Sequence, residues 1–228
     1  MSRARSAGRF RDRREGGRVL GEKLRRYGGR TDVLVLGLPR GGVPVAAEVA
    51  RVLRAPLDVF VVRKIGAPRQ PELAVGAIAA GGTLVLNEEI ARQVGVDREA
   101  LQEENARESR ELERRDRLYR GGRPPPAIGG RTVILVDDGL ATGATMRAAA
   151  ETIRRERPAR LVLAAPVGAR DTCEEMRAYA DEVVCAATPE PFLAVGLWYE
   201  EFSQTSDEEV REALAAPLVT PGPRPADR

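Results

Sequence analysis

The feature of this sequence that most restricts its fold is a series of short, almost continuous apolar runs that alternate with helical segments. Runs of this kind are typical of strands that are covered on both faces of a sheet. The runs are DVLVLGL (32–38), LDVFVV (57–62), TVILV (132–136), LVLAAPV (161–167) and EVVCAA (182–187). Helical patterns fill the intervals, for example over 43–53 and 143–156. The alternation predicts an α/β fold, with a parallel sheet of about five strands and helices on both faces.

The other segments divide the chain into three parts. Residues 1–30 are a basic N-terminal arm with a helix over 12–27, and residues 31–205 form the main domain. Residues 206–228 are predicted to be a C-terminal helix and a disordered, proline-rich tail. Since a mostly parallel sheet binds ligands at the carboxyl ends of its strands, the turns that follow the strands of the main domain are the first places to search for a site.

An inserted segment, residues 65–120, interrupts the strand–helix alternation. A hairpin is predicted from 74–79 and 83–86, and a long helix over 97–120. This helix has 8 acidic and 7 basic residues and only a thin apolar stripe. Such a pattern favours a solvated helix, and a lid or a partner-facing helix is the alternative.

Two capping boxes are predicted towards the C-terminus. Asp171 with Glu174 would begin a helix that continues to Tyr179, and Ser206 with Glu209 would begin the last helix. In each case the side chain of the first residue would accept from a free N–H of the first turn.

Composition limits the classes of protein to which the chain can belong. Its 228 residues are 43% hydrophobic, which is enough for a buried core. No apolar run approaches the ~18 residues of a membrane-spanning helix, and the basic N-terminus has no apolar segment typical of a secretory signal. Two cysteines, Cys173 and Cys185, are too few for a disulfide framework. Together these features predict a cytoplasmic protein that does not contact membranes.

Histidine is absent, which excludes a His-ligated metal site, a Ser-His-Asp triad and a Cys-His pair. Residues 1–30 hold 11 basic and 3 acidic groups. A solvated leader is the favoured interpretation of this charge, and binding of nucleic acid is the alternative.

The strongest chemical signal is the segment Val133–Thr145, VILVDDGLATGAT. Asp137 and Asp138 stand at the carboxyl end of a buried strand, and a short turn then enters a helix. The helix N-terminus offers free N–H groups and a positive dipole, which favour a phosphate. The adjacent carboxylates suit the hydroxyls of a ribose or a hydrated Mg²⁺. The geometry indicates a ribose 5-phosphate unit, and a capped strand end is the alternative.

Two other phosphate-binding motifs are absent. No glycine is placed to form G-x-x-x-x-G-K-[ST], and no two glycines are separated by a single residue, so G-x-G-x-x-G cannot occur.

Val133–Thr145 closely resembles the 13-residue signature that binds 5-phosphoribosyl 1-diphosphate (PRPP) in type I phosphoribosyltransferases. The resemblance covers about residues 30–200 and implies the fold of that family. It also implies a Mg²⁺-dependent transfer of phosphoribose from PRPP to a nitrogen acceptor, with release of pyrophosphate. In the implied site, Asp137 and Asp138 hold the ribose hydroxyls. The 5-phosphate would be held by Ala141, Thr142, Gly143, Ala144 and Thr145.

Two further segments resemble the family's pyrophosphate-binding elements. Leu38–Gly42, LPRGG, resembles its pyrophosphate loop, and the peptide bond between Pro39 and Arg40 is therefore expected to be cis. Arg63 and Lys64, placed at the end of the second strand, resemble a pair that contacts pyrophosphate. The resemblance implies pyrophosphate binding by Arg40, Gly41, Gly42, Arg63 and Lys64, with Arg40 and Lys64 as the catalytic residues.

The acceptor is less well specified. Hypoxanthine-guanine members carry an aspartate where this chain has Ala141, which argues against a 6-oxopurine. Residues 188–205 correspond to the family's hood; Phe192 and Glu200 match its base-stacking and metal-contacting positions only loosely, and the aromatic residues there suit a core equally well. A nucleobase acceptor, nucleotide salvage and a homodimer are expected, and the alternative is a PRPP-sensing regulator that binds nucleic acid through its basic arm.

Overall fold

The computed structural model describes residues 8–67, 70–79, 84–86, 92 and 98–215. The strands are β1 (Val33–Gly37), β2 (Leu57–Val59), β3 (Val62–Ala67), β4 (Gln70–Ala79), β5 (Leu84–Leu86), β6 (Thr132–Val136), β7 (Arg160–Val167) and β8 (Glu182–Ala187). The described helices are α1 (Arg13–Lys23), α2 (Gly42–Leu53), α3 (Arg98–Arg120), α4 (Ala144–Arg155), α5 (Arg170–Glu175) and α6 (Asp207–Ala215). Short 3-10 turns lie at Arg25–Tyr27, Met176–Ala178 and Val195–Trp198.

The main sheet has five strands in the order β2-β1-β6-β7-β8, and every neighbouring pair is parallel. Leu34 and Leu36 of β1 belong to one apolar cluster with residues of α4, whereas Val33 and Val35 belong to another with residues of α1 and α2. Successive side chains of each strand therefore enter cores on opposite faces, as period-2 geometry requires. The predicted fold class, a parallel sheet with helices on both faces, is confirmed.

The predicted second strand (57–62) is wrong in its extent. β2 ends at Val59, and the last bond to the main sheet is from the Phe60 N–H to the Gly37 oxygen at 3.0 Å. Its partner β1 turns into a loop after Gly37, so the chain finds no further partner there. It pairs instead with β4, beginning with Val62 opposite Ala79, in a separate three-stranded antiparallel sheet, β3-β4-β5.

This second sheet contains the predicted hairpin, because β4 and β5 pair antiparallel. The long helix is also present as α3. Its Leu112 and Tyr119 are buried in a cluster with β3 and α6, which holds the thin apolar stripe against the protein. Arg120 is 3% exposed and donates to the Val59 oxygen at 2.7 Å, which attaches the end of α3 to the edge of the main sheet.

Helix α1 approaches α2 unusually closely because of its glycines. A Cβ on Gly17 would lie 2.6 Å from the Val45 oxygen, so a larger residue would force the helices apart. Asp12 caps α1 by accepting from the Glu15 N–H at 2.7 Å. This packing determines where the first residue of α1, Arg13, lies.

Of the two predicted capping boxes, the structure has one. Ser206 and Glu209 exchange backbone-to-side-chain bonds of 3.1 and 2.7 Å at the start of α6. The box at Asp171 is wrong, since Ala169 is the N-cap of α5 and Asp171 lies in the first turn. The helix also ends at Glu175 and continues only as a 3-10 turn.

Cys173 and Cys185 form a disulfide bond between α5 and β8, which the sequence did not predict. No helix in the described part of the chain has the length and apolar character needed to span a bilayer. The start of the basic arm (1–7), the tail (216–228) and parts of 65–96 lie outside the described residues.

Candidate active site

The candidate site lies where β1 and β6 end side by side. The two strands are parallel and in register, with Gly37 opposite Val136. The Leu38 N–H donates to the Val136 oxygen at 2.9 Å, so the pairing continues one residue beyond the strand. The turn after β1 and the acidic residues after β6 are consequently brought together at one edge of the sheet.

Asp137 and Asp138 are partly buried at this edge. The Asp138 N–H donates to Oδ1 of Asp137 at 2.9 Å. Removal from solvent raises the pKa of Asp137 well above its ordinary value, and the negative charge of Asp138 raises it further. Removal from solvent also raises the pKa of Asp138, although Arg13 acts in the opposite direction. Two adjacent carboxyl groups at this edge can form hydrogen bonds with the hydroxyls of a ligand.

The turn that follows β1 packs directly on these carboxylates. A Cβ on Gly42 would lie 2.7 Å from the Val136 oxygen and 2.9 Å from Cα of Asp137, and a Cβ on Gly41 would overlap the Asp138 carboxylate. Glycine is needed at both positions for reasons of space. The Pro39–Arg40 peptide bond is cis, as predicted. Arg40 is partly exposed, and its Nη1 lies 3.9 Å from Oδ1 of Asp207, which also accepts from the Tyr119 hydroxyl at 2.6 Å.

A small cavity of about 130 Å³ opens beside Asp137, lined by the turn between β6 and α4 and by the first residues of α4. Gly143 is the N-cap of α4 and has a φ of 67°, which glycine adopts without strain. A Cβ there would also lie 2.9 Å from Cγ2 of Thr172. The Thr172 hydroxyl of α5 donates to the Ala141 oxygen at 2.6 Å, and this bond connects α5 to the turn.

The lining of this cavity includes the five residues predicted to hold a phosphate, Ala141, Thr142, Gly143, Ala144 and Thr145. Thr142 and Thr145 are exposed. The first N–H groups of a helix have no partner within the helix, so they can donate to an anion in the cavity.

Arg63 and Lys64 are not at a strand end, which corrects the sequence-based placement. Both lie within β3, opposite Ile78 and Ala77 of β4. The reason is the early end of β2 described above. Arg63 donates from Nε to the nearly buried carboxylate of Glu108 on α3 at 2.5 Å. The shared register of β1 and β6 therefore brings Gly41 and Gly42 to the acidic pair, whereas Arg63 is attached to α3.

An N-terminal segment missed by sequence reasoning forms part of the site. The Phe10 N–H donates to the Trp198 oxygen, and the Glu200 N–H donates to the Phe10 oxygen, both at 2.8 Å. The Glu201 N–H donates likewise to the Arg11 oxygen, so Phe10 and Arg11 pair with the predicted hood. Arg13, which follows, donates from Nε to Oδ2 of Asp138 at 2.9 Å. The two residues are 125 positions apart in sequence, and no local pattern distinguishes Arg13 from the other arginines of the arm.

Aromatic side chains join this segment to the acidic pair. Tyr199 is 3% exposed, and its hydroxyl donates to the backbone oxygen of Asp138 at 2.6 Å. Its ring packs against those of Phe10 and Phe202, with centroids 5.7 and 5.1 Å apart. Phe192, by contrast, is only partly buried, and Glu200 is exposed. Burial raises the pKa of Tyr199, so its hydroxyl remains a donor.

Comparison with known proteins gives a consistent result. Residues 13–197 match the model of the phosphoribosyl transferase domain family. A protein of Mycobacterium tuberculosis (strain ATCC 25618 / H37Rv) named "Putative phosphoribosyl transferase Rv0571c" is 50% identical over 201 residues. The match covers 88% of this chain and 45% of that protein, so the chain spans less than half the length of this relative.

Solved structures show the same fold. TT1426 from Thermus thermophilus is 48% identical, with a TM-score of 0.82, and the match covers 90% of this chain and 97% of that one. AQ2163 protein from Aquifex aeolicus matches 91% of this chain and 86% of its own with a TM-score of 0.50. At 12% identity this second likeness concerns the fold alone.

Proposed function

This chain belongs to the phosphoribosyl transferase domain family, and on that premise we propose that it transfers a phosphoribosyl group from PRPP to a nitrogen acceptor and releases pyrophosphate. One observation carries the proposal. The parallel register of β1 and β6 places the acidic pair between a glycine-containing turn and a phosphate-sized cavity. That order matches the order of groups in PRPP, with pyrophosphate and 5-phosphate on opposite sides of a ribose.

In this proposal Asp137 and Asp138 accept hydrogen bonds from the ribose hydroxyls. The 5-phosphate lies in the cavity at the start of α4, where N–H groups and the hydroxyls of Thr142 and Thr145 donate to it. The pyrophosphate lies over the turn 38–42, close to the guanidinium of Arg40. Lys64 and Arg63, on β3, are the further basic residues assigned to pyrophosphate, an assignment that rests on the resemblance to the family alone.

The reaction needs charge stabilisation and positioning more than a protein base. Negative charge develops on the leaving pyrophosphate while the ribose ring becomes positively charged, and fixed dipoles and cations are effective at such places. Holding the two ends of PRPP also aligns C1 with the incoming nitrogen. The absence of histidine is therefore compatible with catalysis.

Mg²⁺ is the cofactor we propose. Within the described ranges, no cluster of three or more His, Cys, Asp or Glu side chains could form a metal cage. The donor set does suit a magnesium ion that is bound mainly by the substrate's oxygens and, through water, by the carboxylates of Asp137 and Asp138, because Mg²⁺ retains waters and needs few protein ligands. When bound, it would neutralise charge on the pyrophosphate.

A nucleobase is the acceptor we propose, and Ala141, which lacks a carboxylate, makes a 6-oxopurine the less favoured choice. A nitrogen acceptor of another kind is the alternative within the same reaction. Binding of nucleic acid by the arm has less support, since several of its arginines pair with carboxylates of the main domain: Arg13 with Asp138, Arg26 with Glu182, and Arg30 with Asp32. A homodimer, a cytoplasmic location and a role in nucleotide salvage stay predictions.

Two measurements test the proposal. PRPP with Mg²⁺ should raise the melting temperature, because a ligand that binds only the folded state stabilises it. A panel of nucleobases and other nitrogen compounds, with pyrophosphate release as the readout, would then identify the acceptor.

The double variant Asp137→Asn/Asp138→Asn should lose the PRPP-induced shift and remain folded. Glu174→Gln/Glu175→Gln is the matched control, because it removes the charges of another adjacent acidic pair that is exposed on α5. A full shift in the first variant would refute the assignment of the ribose site.

A further inference from the structure

Arg13 is the first residue of α1, and the proposed reaction assigns it no role. Its side chain is 13% exposed, although it belongs to a strongly basic segment. Nε donates to Oδ2 of Asp138 at 2.9 Å, and Nη1 donates to the backbone oxygen of Ser203 at 2.7 Å. The guanidinium carbon lies 3.9 Å from the centroid of the Phe202 ring.

These three contacts determine the orientation of the guanidinium. The guanidinium lies over the ring of Phe202, and its two hydrogen bonds restrict its rotation there. A guanidinium has five N–H donors, and the contacts with Asp138 and Ser203 use two of them. Nη2 of Arg13 donates to no group in the described part of the chain. Arg13 is thus a cation in a defined orientation, and the described part of the chain does not use all of its N–H donors.

The guanidinium lies at the boundary between the ribose and pyrophosphate positions. One of its contacts, Asp138, belongs to the ribose site. Nε also lies 3.2 Å from the position that a Cβ on Gly41 would take, so the side chain also adjoins the pyrophosphate turn. In PRPP, the bond between C1 and the pyrophosphate oxygen joins the ribose to the pyrophosphate.

We propose that Arg13 is a substrate-contacting residue, which orients Asp138 through Nε and donates from its outer edge to the leaving pyrophosphate. This inference rests on the proposed function. The planar fork of an arginine matches phosphate oxygens and is more weakly hydrated than an ammonium, so it suits a desolvated anion.

The proposed step is balanced without further reactants. The bond between C1 and oxygen breaks, and its electron pair stays on the pyrophosphate. The lone pair of the acceptor nitrogen forms the new bond to C1, and the proton of that nitrogen goes to solvent. Arg13 stays protonated throughout and stabilises the charge that appears on the leaving oxygen.

Binding measurements on the full chain test this role. We would titrate the wild type and Arg13→Gln with inorganic pyrophosphate and, separately, with ribose 5-phosphate, by calorimetry in the presence of Mg²⁺. Arg13→Gln should weaken pyrophosphate binding at least tenfold and change ribose 5-phosphate binding less than threefold. Its melting temperature without ligand should stay within a few degrees of the wild type, since glutamine can still donate to Asp138.

Arg14→Gln is the matched control. Arg14 is the next residue, it is exposed, and its substitution removes the same charge. Both affinities should stay within threefold of the wild type. If Arg13→Gln does not fold, Arg13→Lys retains the charge and much of the stem, and it should weaken pyrophosphate binding more than ribose 5-phosphate binding because it loses the fork.

Three outcomes would overturn the inference. Equal weakening of both ligands would mean that Arg13 only positions Asp138. Tighter binding in Arg13→Gln would mean that the guanidinium competes with substrate for Asp138. Equal losses in Arg13→Gln and Arg14→Gln would mean that the effect is general charge. A wild type that binds neither PRPP nor ribose 5-phosphate would instead refute the proposed function, and with it the premise of this inference.

Discussion

Space, more than charge, limits what the turn after β1 can contain. Gly41 has ordinary helical backbone angles, φ −61° and ψ −33°, so an alanine would not strain the backbone there. A larger residue is excluded at this position because the Asp138 carboxylate occupies the place that its Cβ would take. In the proposed function, the closeness of Gly41 to Asp138 would allow one substrate to contact both.

We expect Gly41→Ala to displace the Asp138 carboxylate and to weaken PRPP binding at least tenfold. The added methyl group should also lower the free energy of unfolding by ~1–3 kcal/mol, as overpacking typically does. Calorimetry with PRPP and urea denaturation would measure the two effects.

Gly129→Ala is the control for this substitution. Gly129 is exposed, and a Cβ there would make an ordinary contact, 3.4 Å from the Glu156 oxygen. Neither binding nor stability should change appreciably. Unaltered PRPP binding in Gly41→Ala would show that the carboxylate can move without consequence.

The capping box of Ser206 and Glu209 begins α6 directly beside the candidate site. Its Val210 and Leu214 are buried against α2 and α3. Its first residue, Asp207, accepts from the Tyr119 hydroxyl and faces Arg40. Burial, with the hydrogen bond to Asp207, raises the pKa of Tyr119 to about 12, so this hydroxyl remains a donor near neutral pH. The start of α6 therefore lies beside Arg40 in the turn after β1.

We expect Ser206→Ala to lower the free energy of unfolding by about 0.5–2 kcal/mol, because it removes the cap of α6. The first turn should fray, and exchange of its amide hydrogens should accelerate. Ser203→Ala is the control, since Ser203 is exposed and Arg13 contacts only its backbone oxygen. Equal stability of the two variants would contradict a role for the cap.

For the molecule as a whole, the acidic pair should make the stability of the unliganded protein depend on pH. The pKa of Asp137 is raised in the folded state above its ordinary value of 3.8. Between these two values the folded state binds more protons than the unfolded state, so stability falls as pH rises through that interval. Asp137 therefore destabilises the unliganded fold at neutral pH, a cost that a role in ligand binding would explain.

Asp137→Asn should therefore be more stable than the wild type near pH 7, and the difference should grow as pH rises from about 4. Urea denaturation across pH 4–8 would measure it. Asp181→Asn should instead be less stable than the wild type by a nearly constant amount across this range, because hydrogen bonds from Arg154 and the Leu161 N–H outweigh removal from solvent and lower the pKa of Asp181 below 3.8. A constant difference between Asp137→Asn and the wild type would contradict the expectation.

Elements with local signals could be predicted from the amino-acid pattern. Each buried strand is a continuous apolar run, so β1, β6, β7 and β8 were predicted nearly to the residue. The turn between β6 and α4 was predicted for the same reason, since its acids, threonines and glycine are adjacent in the chain.

Contacts between groups that are distant in the chain depend on how the elements pack. Strand 57–62 divides between two sheets because β1 offers no partner beyond Gly37, and this moved Arg63 and Lys64 into β3. Arg13 reaches Asp138 because the close packing of α1 on α2 and the pairing of Phe10 with Tyr199 hold α1 over the acidic pair. An apolar pattern specifies which face of an element is buried, but it does not specify which polar side chain of another element comes to lie against it.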